Sequence, residues 1–453
     1  MGSGFPQVGG KGTFSRGVHP PDQKHFAADA GIEVVPAPEK IILPFSQHIG
    51  APCKPAVKAK DEVKVGALIG EAGGFVSAPI HASINGTVTK TIDLTLPTGR
   101  RISAVPIKAD GDQPEGELLF KELTSDNWDR QAAEKHDPQG IISAINSAGI
   151  VGLGGAAFPT HVKLTPNKEK PVDVLLLNGC ECEPYLTSDY RLMLEAPQAI
   201  VAGALLAARA AGAKQIFIAI EDNKPRAIER MTQAVQGTPI QVKAVKTKYP
   251  QGSEKHLIVA VTGRKVPPGA LPLDVGVVVS NVGSACAIAF AVIKQKPLTH
   301  RVICVTGAGV RTPKNLFVPI GTSYRHLIDY CGGLTPDAAR IISGGPMMGF
   351  AFTDLDLPVT KGTSGVTVLT RDDVKKAQET NCVRCGRCVD VCPMNLVPTK
   401  LAIAARHQAT DVAEAYYITA CVECGCCAFT CPASLPLVQL IRLGKTQVAA
   451  KKR

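Results

Sequence analysis

Two short runs late in the chain concentrate the residues best suited to chemistry. Cys382-Val-Arg-Cys385-Gly-Arg-Cys388-Val-Asp-Val-Cys392-Pro393 and Cys421-Val-Glu-Cys424-Gly-Cys-Cys427-Ala-Phe-Thr-Cys431-Pro432 share the spacing C-x2-C-x2-C-x3-C-P. Thiolates two residues apart on a tight loop can each take one corner of an iron–sulfur cube, while the loop's N–H groups turn toward the sulfides. In a doubled run of this kind the fourth cysteine serves the other cluster. Cys382, Cys385, Cys388 and Cys431 are therefore expected to hold one [4Fe–4S] cluster, and Cys421, Cys424, Cys427 and Cys392 the other. The fourth cysteine is expected at the start of the following helix, with proline ending the loop. Zinc ribbons use separated C-x2-C pairs, so a zinc-stabilised scaffold fits the repeat poorly. Cys426 falls outside the pattern and reads as a packed thiol. Two adjacent clusters relay single electrons and break no bonds, so another part of the chain must supply the electrons.

A glycine-rich loop is the candidate for that part. Gly152-Leu-Gly154-Gly155-Ala-Ala-Phe158-Pro159-Thr160 follows the apolar run Ile141–Val151. Such a loop lets a ligand approach the backbone and offers free N–H groups to an anion such as phosphate. It departs from the dinucleotide fingerprint G-x-G-x-x-G, because Ala157 stands at the third glycine.

These loops need elements to hold them. With 453 residues, three or four compact units are expected. Apolar residues make up 45% and charged residues 20%, with 43 Gly and 34 Pro; that mix argues for many turns and short strands rather than a helical bundle. Residues 1–35 lack periodicity and read as an extended arm. From Lys40 to about Asp110, short strands and turn signals alternate closely, as in a small β barrel or sandwich. Residues 111–140 are charged and read as a link. Beyond Ile141, apolar strands (Val172–Leu177, Gln215–Ile220, Gly276–Ser280) alternate with helices such as Ala196–Ala211, the mark of an α/β layer. Arg301–Gly307 reads as a strand, residues 315–368 as a β-grasp-like unit with a helix at Tyr324–Cys331, and Arg371–Glu379 as a helix.

The fifteen cysteines do not suggest disulfides in a chain whose first 16 residues, Gly-rich and polar, show no secretory leader. Neither Ala199–Ala208 nor Gly276–Ile293 offers the roughly 20 unbroken apolar residues a membrane span needs. The net charge of +11 has no long run behind it except Lys445, Lys451, Lys452 and Arg453. Aromatics are not interleaved with the basic residues, so no nucleic-acid partner is expected; a solvated basic surface is the plainer reading, ahead of docking on an acidic protein or an anionic leaflet.

Two resemblances sharpen this picture. Gly66-Ala-Leu-Ile-Gly and Ala78-Pro-Ile-His-Ala-Ser-Ile-Asn-Gly-Thr-Val resemble the halves of a biotinyl/lipoyl carrier domain. The hairpin between them, Glu71-Ala-Gly-Gly-Phe-Val-Ser, holds no lysine to modify, so a structural or docking barrel is expected. The glycine loop with Thr160-His-Val-Lys163 resembles the flavin loop of the NADH-binding flavoprotein subunit of respiratory complex I. Asn178-Gly-Cys-Glu181-Cys-Glu183-Pro184, Tyr249-Pro-Gln-Gly252-Ser-Glu254-Lys-His-Leu257 and Val279-Ser-Asn281-Val282 resemble that family's further elements, in the same order. A fuller resemblance, over nearly the whole chain, is to the RnfC family, a component of the membrane-bound Rnf ferredoxin–NAD oxidoreductase. It adds Gly17-Val-His-Pro-Pro, Ser46-Gln-His-Ile-Gly-Ala-Pro, Val266-Pro-Pro-Gly and Gly344-Gly-Pro-Met-Met-Gly.

The resemblance implies FMN held by Gly152, Gly154, Gly155 and Lys163, with Asn178 and Asn281 on the flavin. It puts Glu183 near the nicotinamide as the catalytic candidate, and Phe158 and Glu254 near NAD(H). Each has a plainer structural reading: Lys163 a surface charge, Phe158 a core residue, Glu254 a helix-start acid. Ala157, Gly179-Cys180 and Ser253 depart from the complex I pattern. The fold implied is an α+β multidomain chain. It has the arm (1–35), a barrel-sandwich hybrid (36–115), an α/β FMN/NADH domain (116–300), a β-grasp-like SLBB unit (301–368) and a ferredoxin-like two-cluster domain (369–453). The function implied is the peripheral electron-transfer subunit of an ion-translocating ferredoxin:NAD+ oxidoreductase on the cytoplasmic side of the cell membrane. Its expected partners are membrane and iron–sulfur Rnf subunits, with ferredoxin reached indirectly. The alternative is a free-standing flavin/iron–sulfur reductase such as a cobalamin reductase, whose barrel follows the flavin region instead of preceding it.

Overall fold

Four runs rich in β-branched residues and leucine, Val174–Asn178, Gln215–Glu221, Ile240–Val245 and Val277–Asn281, form an all-parallel sheet. A computed structural model describes them within residues 8–165, 169–374 and 377–451. Parallel strands covered on both faces read as near-continuous apolar runs, and Val174, Leu175, Leu176 and Leu177 are all fully buried. Taken in chain order, the strands lie third, second, first, fourth across the sheet. The order reverses between the first strand and the fourth, and at such a reversal the strand ends part into a crevice. Asn178 and Asn281 are register partners at the carboxyl ends of those two strands.

Helices Pro197–Ala211 and Val282–Ile293 cover the sheet and press against each other. A Cβ on Gly203 would stand 1.8 Å from the Ala285 carbonyl oxygen. The close approach therefore requires glycine, despite its cost of about 1 kcal/mol in a helix interior. Among the described residues no single helix is long and apolar enough to cross a membrane. The one apolar pair, Ser188–Glu195 with Pro197–Ala211, bends by 97° and is mostly packed into this core.

Ahead of the parallel sheet, two small antiparallel sheets face each other. One joins Lys40–Pro44, Arg101–Ala109, Gly86–Val88 and Glu62–Val63; the other joins Lys54–Pro55, Leu68–Glu71 and Ile80–His81. Ile41, Leu43, Ile69, Ile80, Ile84 and Ile107 are buried within this barrel sandwich. After the parallel sheet comes a six-stranded mixed sheet: Ile32–Val34, Lys314–Pro319, His300–Thr306, Gly365–Thr370, Ala338–Ser343 and Phe350–Phe352.

The first of those strands belongs to the N-terminal arm, whose described part is tied down along its length. Ile32–Val34 runs parallel to Lys314–Pro319, and buried Asn315 donates to the carbonyls of Ala27 (2.8 Å) and Ala30 (3.1 Å). Gly9, Gly10 and Gly12 donate N–H bonds to Thr262, Val261 and Ala260. They satisfy carbonyls that the end of helix Glu254–Thr262 leaves without partners. Residues 1–7 lie outside the described part, as do Lys452 and Arg453 of the basic tail.

The segment 111–140 is more than a link. It carries helices Glu115–Leu123 and Ala132–Lys135, and buried Trp128 meets Phe290 edge-on at 5.1 Å. The helix expected at Arg371–Glu379 is absent from the described residues there, residues 375 and 376 lying outside them. The Asp373 carboxylate accepts from both the N–H (3.0 Å) and the hydroxyl (2.8 Å) of Thr370, closing a turn in its place. Beyond it lie the one-turn helices Arg387–Asp390 and Cys426–Phe429, each followed by longer helices, Pro398–Arg406 and Leu437–Lys451 among them.

Candidate functional site: a flavin crevice against a cysteine pocket

The glycine loop stands at the crevice where the strand order reverses. Its ends are pinned, since Gly152 N–H donates to the Phe158 carbonyl (2.9 Å) and Leu153 N–H to the Ser284 hydroxyl (2.9 Å). Between the pins, Gly154, Gly155 and Ala156 are exposed. A Cβ on Gly154 would come within 2.5 Å of Asn281 Nδ2, whereas one on Gly155 would meet nothing within 4 Å. The loop is thus packed on one side and open on the other. Ala157 holds φ at +53°, so the left-handed turn survives where the complex I pattern has glycine, at a cost of roughly 1–2 kcal/mol.

Both asparagines are committed to protein partners. Asn178 accepts from Cys180 N–H (3.0 Å) and donates to the Gly252 carbonyl (2.7 Å), joining the strand end to the Tyr249–Glu254 element. Asn281 caps helix Val282–Ile293, accepting from Gly283 N–H (2.8 Å) and Ser284 N–H (3.3 Å). Its Nδ2 donates to Asp189 (2.7 Å). Lys163 donates to Glu254 (2.7 Å) and to the Val279 carbonyl (2.9 Å), bringing two residues distant in sequence to one rim. Phe158, in the glycine loop, is partly exposed.

Glu183 is held on the side of the crevice next to the cysteines. One carboxylate oxygen accepts from Met347 N–H (2.6 Å) and Met348 N–H (3.1 Å) of the Gly344–Gly349 loop. The other lies 3.2 Å from the Tyr249 hydroxyl, which is 2.7 Å from the Cys424 carbonyl. A phenol has one proton to give, and the shorter contact marks the Cys424 carbonyl as its acceptor. Burial raises the Glu183 carboxyl above its ordinary range, and these donors only partly offset it.

Several residues without a sequence-derived role complete the crevice. Glu181 caps helix Ser188–Glu195 by accepting from Asp189 N–H (2.7 Å) and Tyr190 N–H (3.0 Å). Lys24 of the arm, buried, donates to the carbonyls of Glu183 (3.0 Å) and Leu186 (2.6 Å). Asp189 lines a largely apolar cavity behind the loop with Leu153, Leu192 and Phe290. Burial first, and then the Glu181 charge, push its carboxyl up to about 7 against the Asn281 hydrogen bond and Arg301. Tyr249 opens the Tyr249–Leu257 motif, but no spacing pairs it with Cys424, 175 positions away.

The cysteine loops repeat each other in backbone as well as in sequence. Arg384, Gly386 and Asn395 have φ of +56°, +78° and +56°; Glu423, Gly425 and Ser434, at the equivalent positions, have +57°, +85° and +52°. These turns aim N–H groups at sulfur: Arg384 at Cys382 (3.4 Å), Glu423 at Cys421 (3.3 Å) and Leu396 at Cys392 (3.4 Å). Cys392, Cys421, Cys424 and Cys427 line a single pocket. Cys388 and Cys431 pack into one apolar cluster, with Cys382 and Cys385 exposed. None of these thiols is joined in a disulfide. The fourth cysteine is not at the start of the following helix. Gly386 and Gly425 open a helical turn early, so Cys388 and Cys427 sit within it while Cys392 and Cys431 come just after it. Cys426 is fully buried and packs against Tyr249 and Cys424.

The inner thiols and the glycine loop fit their groups. The four motif thiols Cys392, Cys421, Cys424 and Cys427 around one pocket, which Cys426 also lines, with N–H groups turned to sulfur, suit a [4Fe–4S] cube. An open glycine loop at a strand-order reversal, rimmed by a lysine, suits a flavin nucleotide. Fold and sites together define an iron–sulfur flavoprotein.

Family models match in the same order along the chain. The RnfC barrel sandwich hybrid domain covers residues 12–112, the Nuo51 FMN-binding domain 145–290, the SLBB domain 302–351 and the 4Fe-4S dicluster domain 381–435. Among similar proteins, the C component of the proton-translocating ferredoxin:NAD(+) oxidoreductase complex of Clostridium ljungdahlii is 47% identical over 405 residues, 89% of this chain and 87% of that one. The corresponding component of the Na(+)-translocating complex of Acetobacterium woodii is 44% identical, with 98% of each chain covered. The C component of the ion-translocating oxidoreductase complex of Rhodobacter capsulatus is 43% identical over 96% of this chain and 83% of its own. The chain belongs to the RnfC family. A solved structure of the NAD+-reducing [NiFe]-hydrogenase in the H2-reduced state shares the fold, with a TM-score of 0.51 and 22% identity over 74% of this chain and 66% of that one.

Proposed function

We propose that this chain is the subunit through which a membrane-bound, ion-translocating ferredoxin:NAD+ oxidoreductase exchanges electrons with NAD(H), by way of FMN and two [4Fe–4S] clusters. Flavin, when bound, takes two electrons at once and releases them singly, which matches a hydride donor to one-electron clusters. Gly152, Gly154, Gly155 and Lys163 would hold the FMN, with Asn178 and Asn281 at its edge. Phe158, Glu183 and Glu254 would meet NAD(H). Cys392, Cys421, Cys424 and Cys427 would hold an inner cluster, and Cys382, Cys385, Cys388 and Cys431 an outer one that faces partner redox subunits. NAD(H) and ferredoxin are cytoplasmic, so the chain is assigned as a peripheral subunit to that side of the membrane, with the ion path in its partners.

The single observation that carries the reading is the pair of bonds fastening the inner pocket to the flavin domain. Tyr249 reaches the Cys424 carbonyl (2.7 Å), and His256 of helix Glu254–Thr262 reaches the Pro393 carbonyl (3.3 Å), next to Cys392. The crevice and the thiols are thereby held as neighbours, which electron transfer requires and a zinc scaffold does not. The test is NADH-driven bleaching of the clusters in purified protein with and without FMN. Bleaching only in the flavin-loaded sample is expected, and equal bleaching without flavin would refute the reading.

A further inference from the structure

The carrier-like hairpin of the barrel has no lysine, yet it is built to hold one residue out. Phe75, at its tip, is 69% exposed, while Phe14, Phe45, Phe217 and Phe317 are all buried. The tip is rigid. Ala51 N–H donates to the Val76 carbonyl (2.9 Å), Gly73 N–H to the Ser77 hydroxyl (3.0 Å), and that hydroxyl to the Ala51 carbonyl (2.9 Å). A Cβ on Gly50 would lie 1.9 Å from the Val76 carbonyl oxygen, and one on Gly73 2.0 Å from that of Pro52. Two backbones are thus pressed together at glycines beneath an aromatic ring left in solvent.

The tip reaches the glycine loop. His161 Nε2 donates to the Phe75 carbonyl (3.2 Å), and the two rings meet edge-on with centroids 6.2 Å apart. Ile49 N–H, from the loop packed under the hairpin, donates to the Ala157 carbonyl (3.4 Å). The barrel therefore grips both ends of the segment 157–161, whose middle carries the partly exposed Phe158. His161 lies in helix Thr160–Leu164, directly after the glycine loop whose Gly154, Gly155 and Ala156 are exposed. The tip thus holds one exposed aromatic ring against the segment that leaves an open glycine backbone and carries Phe158. That chemistry suits a nucleotide: free N–H groups for its phosphates, a ring face for its base.

We propose that Phe75 provides an aromatic wall for the adenine of NAD(H), making the barrel part of the dinucleotide site. This rests on the NAD(H) reading above. The test uses full-length, FMN- and cluster-loaded protein and compares Phe75→Ala, Phe75→Leu and Phe75→Tyr. Loss of one stacked base should raise KM for NADH about tenfold in the Ala and Leu variants, with kcat within about twofold and FMN and iron contents unchanged. Phe75→Tyr, which keeps the ring, should stay near wild type. Reduced nicotinamide mononucleotide, which lacks adenine, should show one KM in all four proteins.

An unchanged KM for NADH in both the Ala and Leu variants would overturn the proposal; release of those variants from the assembled complex alongside it would identify the tip as a protein contact instead. An equal rise with the mononucleotide would also overturn it, because the effect would then lie at the nicotinamide end. Failure of the NAD(H) reading looks different, since wild-type protein would then not be reduced by NADH at all.

Discussion

The two cysteine runs share spacing and backbone torsions, yet they live in opposite surroundings. In the first, Cys382 and Cys385 are exposed and Val383 is 64% exposed. In the second, Cys424, Cys426 and Cys427 are buried. Glu423 there is held by Lys445 (2.6 Å) and Arg442 (2.9 Å), and Lys445 also donates to the Cys421 carbonyl (2.7 Å). Its counterpart Arg384 is exposed. A Cβ on Gly425 would strike the Met347 carbonyl at 2.5 Å, whereas one on Gly386 would meet nothing within 4 Å. Near-identical local geometry thus suits both loops to the same kind of group, and their neighbours set them apart; under the proposed function this difference orders them along the path. The packed loop faces the flavin crevice, and the open loop faces outward.

The sharpest way to break this contrast is to remove one ligand from each loop. Cys424→Ser should cost about half of the bound iron and reduce NADH-driven electron output to background. FMN content should stay intact, all three being read on one sample. Cys385→Ser should also cost iron, but NADH should still bleach the cluster that remains. Output to an external one-electron acceptor should fall by about tenfold or more, roughly 1.4 kcal/mol in barrier. Equal loss of internal bleaching in both variants would erase the distinction between inner and outer.

Tyr249→Phe probes the join itself. It deletes the bond to the Cys424 carbonyl and should destabilise the protein by about 0.5–1.5 kcal/mol, measured by denaturant unfolding of the FMN-loaded chain. Inner-cluster reduction should slow while the outer loop keeps its iron. The smallest effect lies on the flavin side. Asp189, with its carboxyl pushed up to about 7, keeps a proton in the folded chain that the unfolded chain releases from about pH 4 upward. Stability from this group is therefore full at low pH and lost as pH rises through about 7. Asp189→Asn should flatten the fall in melting temperature between pH 5.5 and 8 by about 2–4 °C.

Much of the site was legible in the sequence because its signals are local. A cysteine triple followed by C-P is read within a dozen residues, and strands such as Val174–Asn178 announce themselves by unbroken apolar character. What stayed hidden depends on distant segments meeting. The register of Asn178 with Asn281 follows from strand order, the grip of the barrel on Ala157 and His161 from domain packing, and the Tyr249 bridge from both. The arm lacked periodicity because its partners are single points: Lys24 beneath Glu183, Ile32–Val34 on a sheet edge. Among the described residues of 371–379, the Thr370–Asp373 turn stands where a helix was expected, and the place of Cys392 and Cys431 shifted because a left-handed glycine starts each helical turn early.

The most direct measurement is rapid freeze-quench electron paramagnetic resonance after mixing NADH with the FMN-loaded protein, run on wild type and on Cys385→Ser. If the Cys392–Cys421–Cys424–Cys427 pocket receives electrons first, the earliest cluster signal should arise at the same rate in both proteins. An early signal that vanishes in Cys385→Ser and persists in Cys424→Ser would contradict the account.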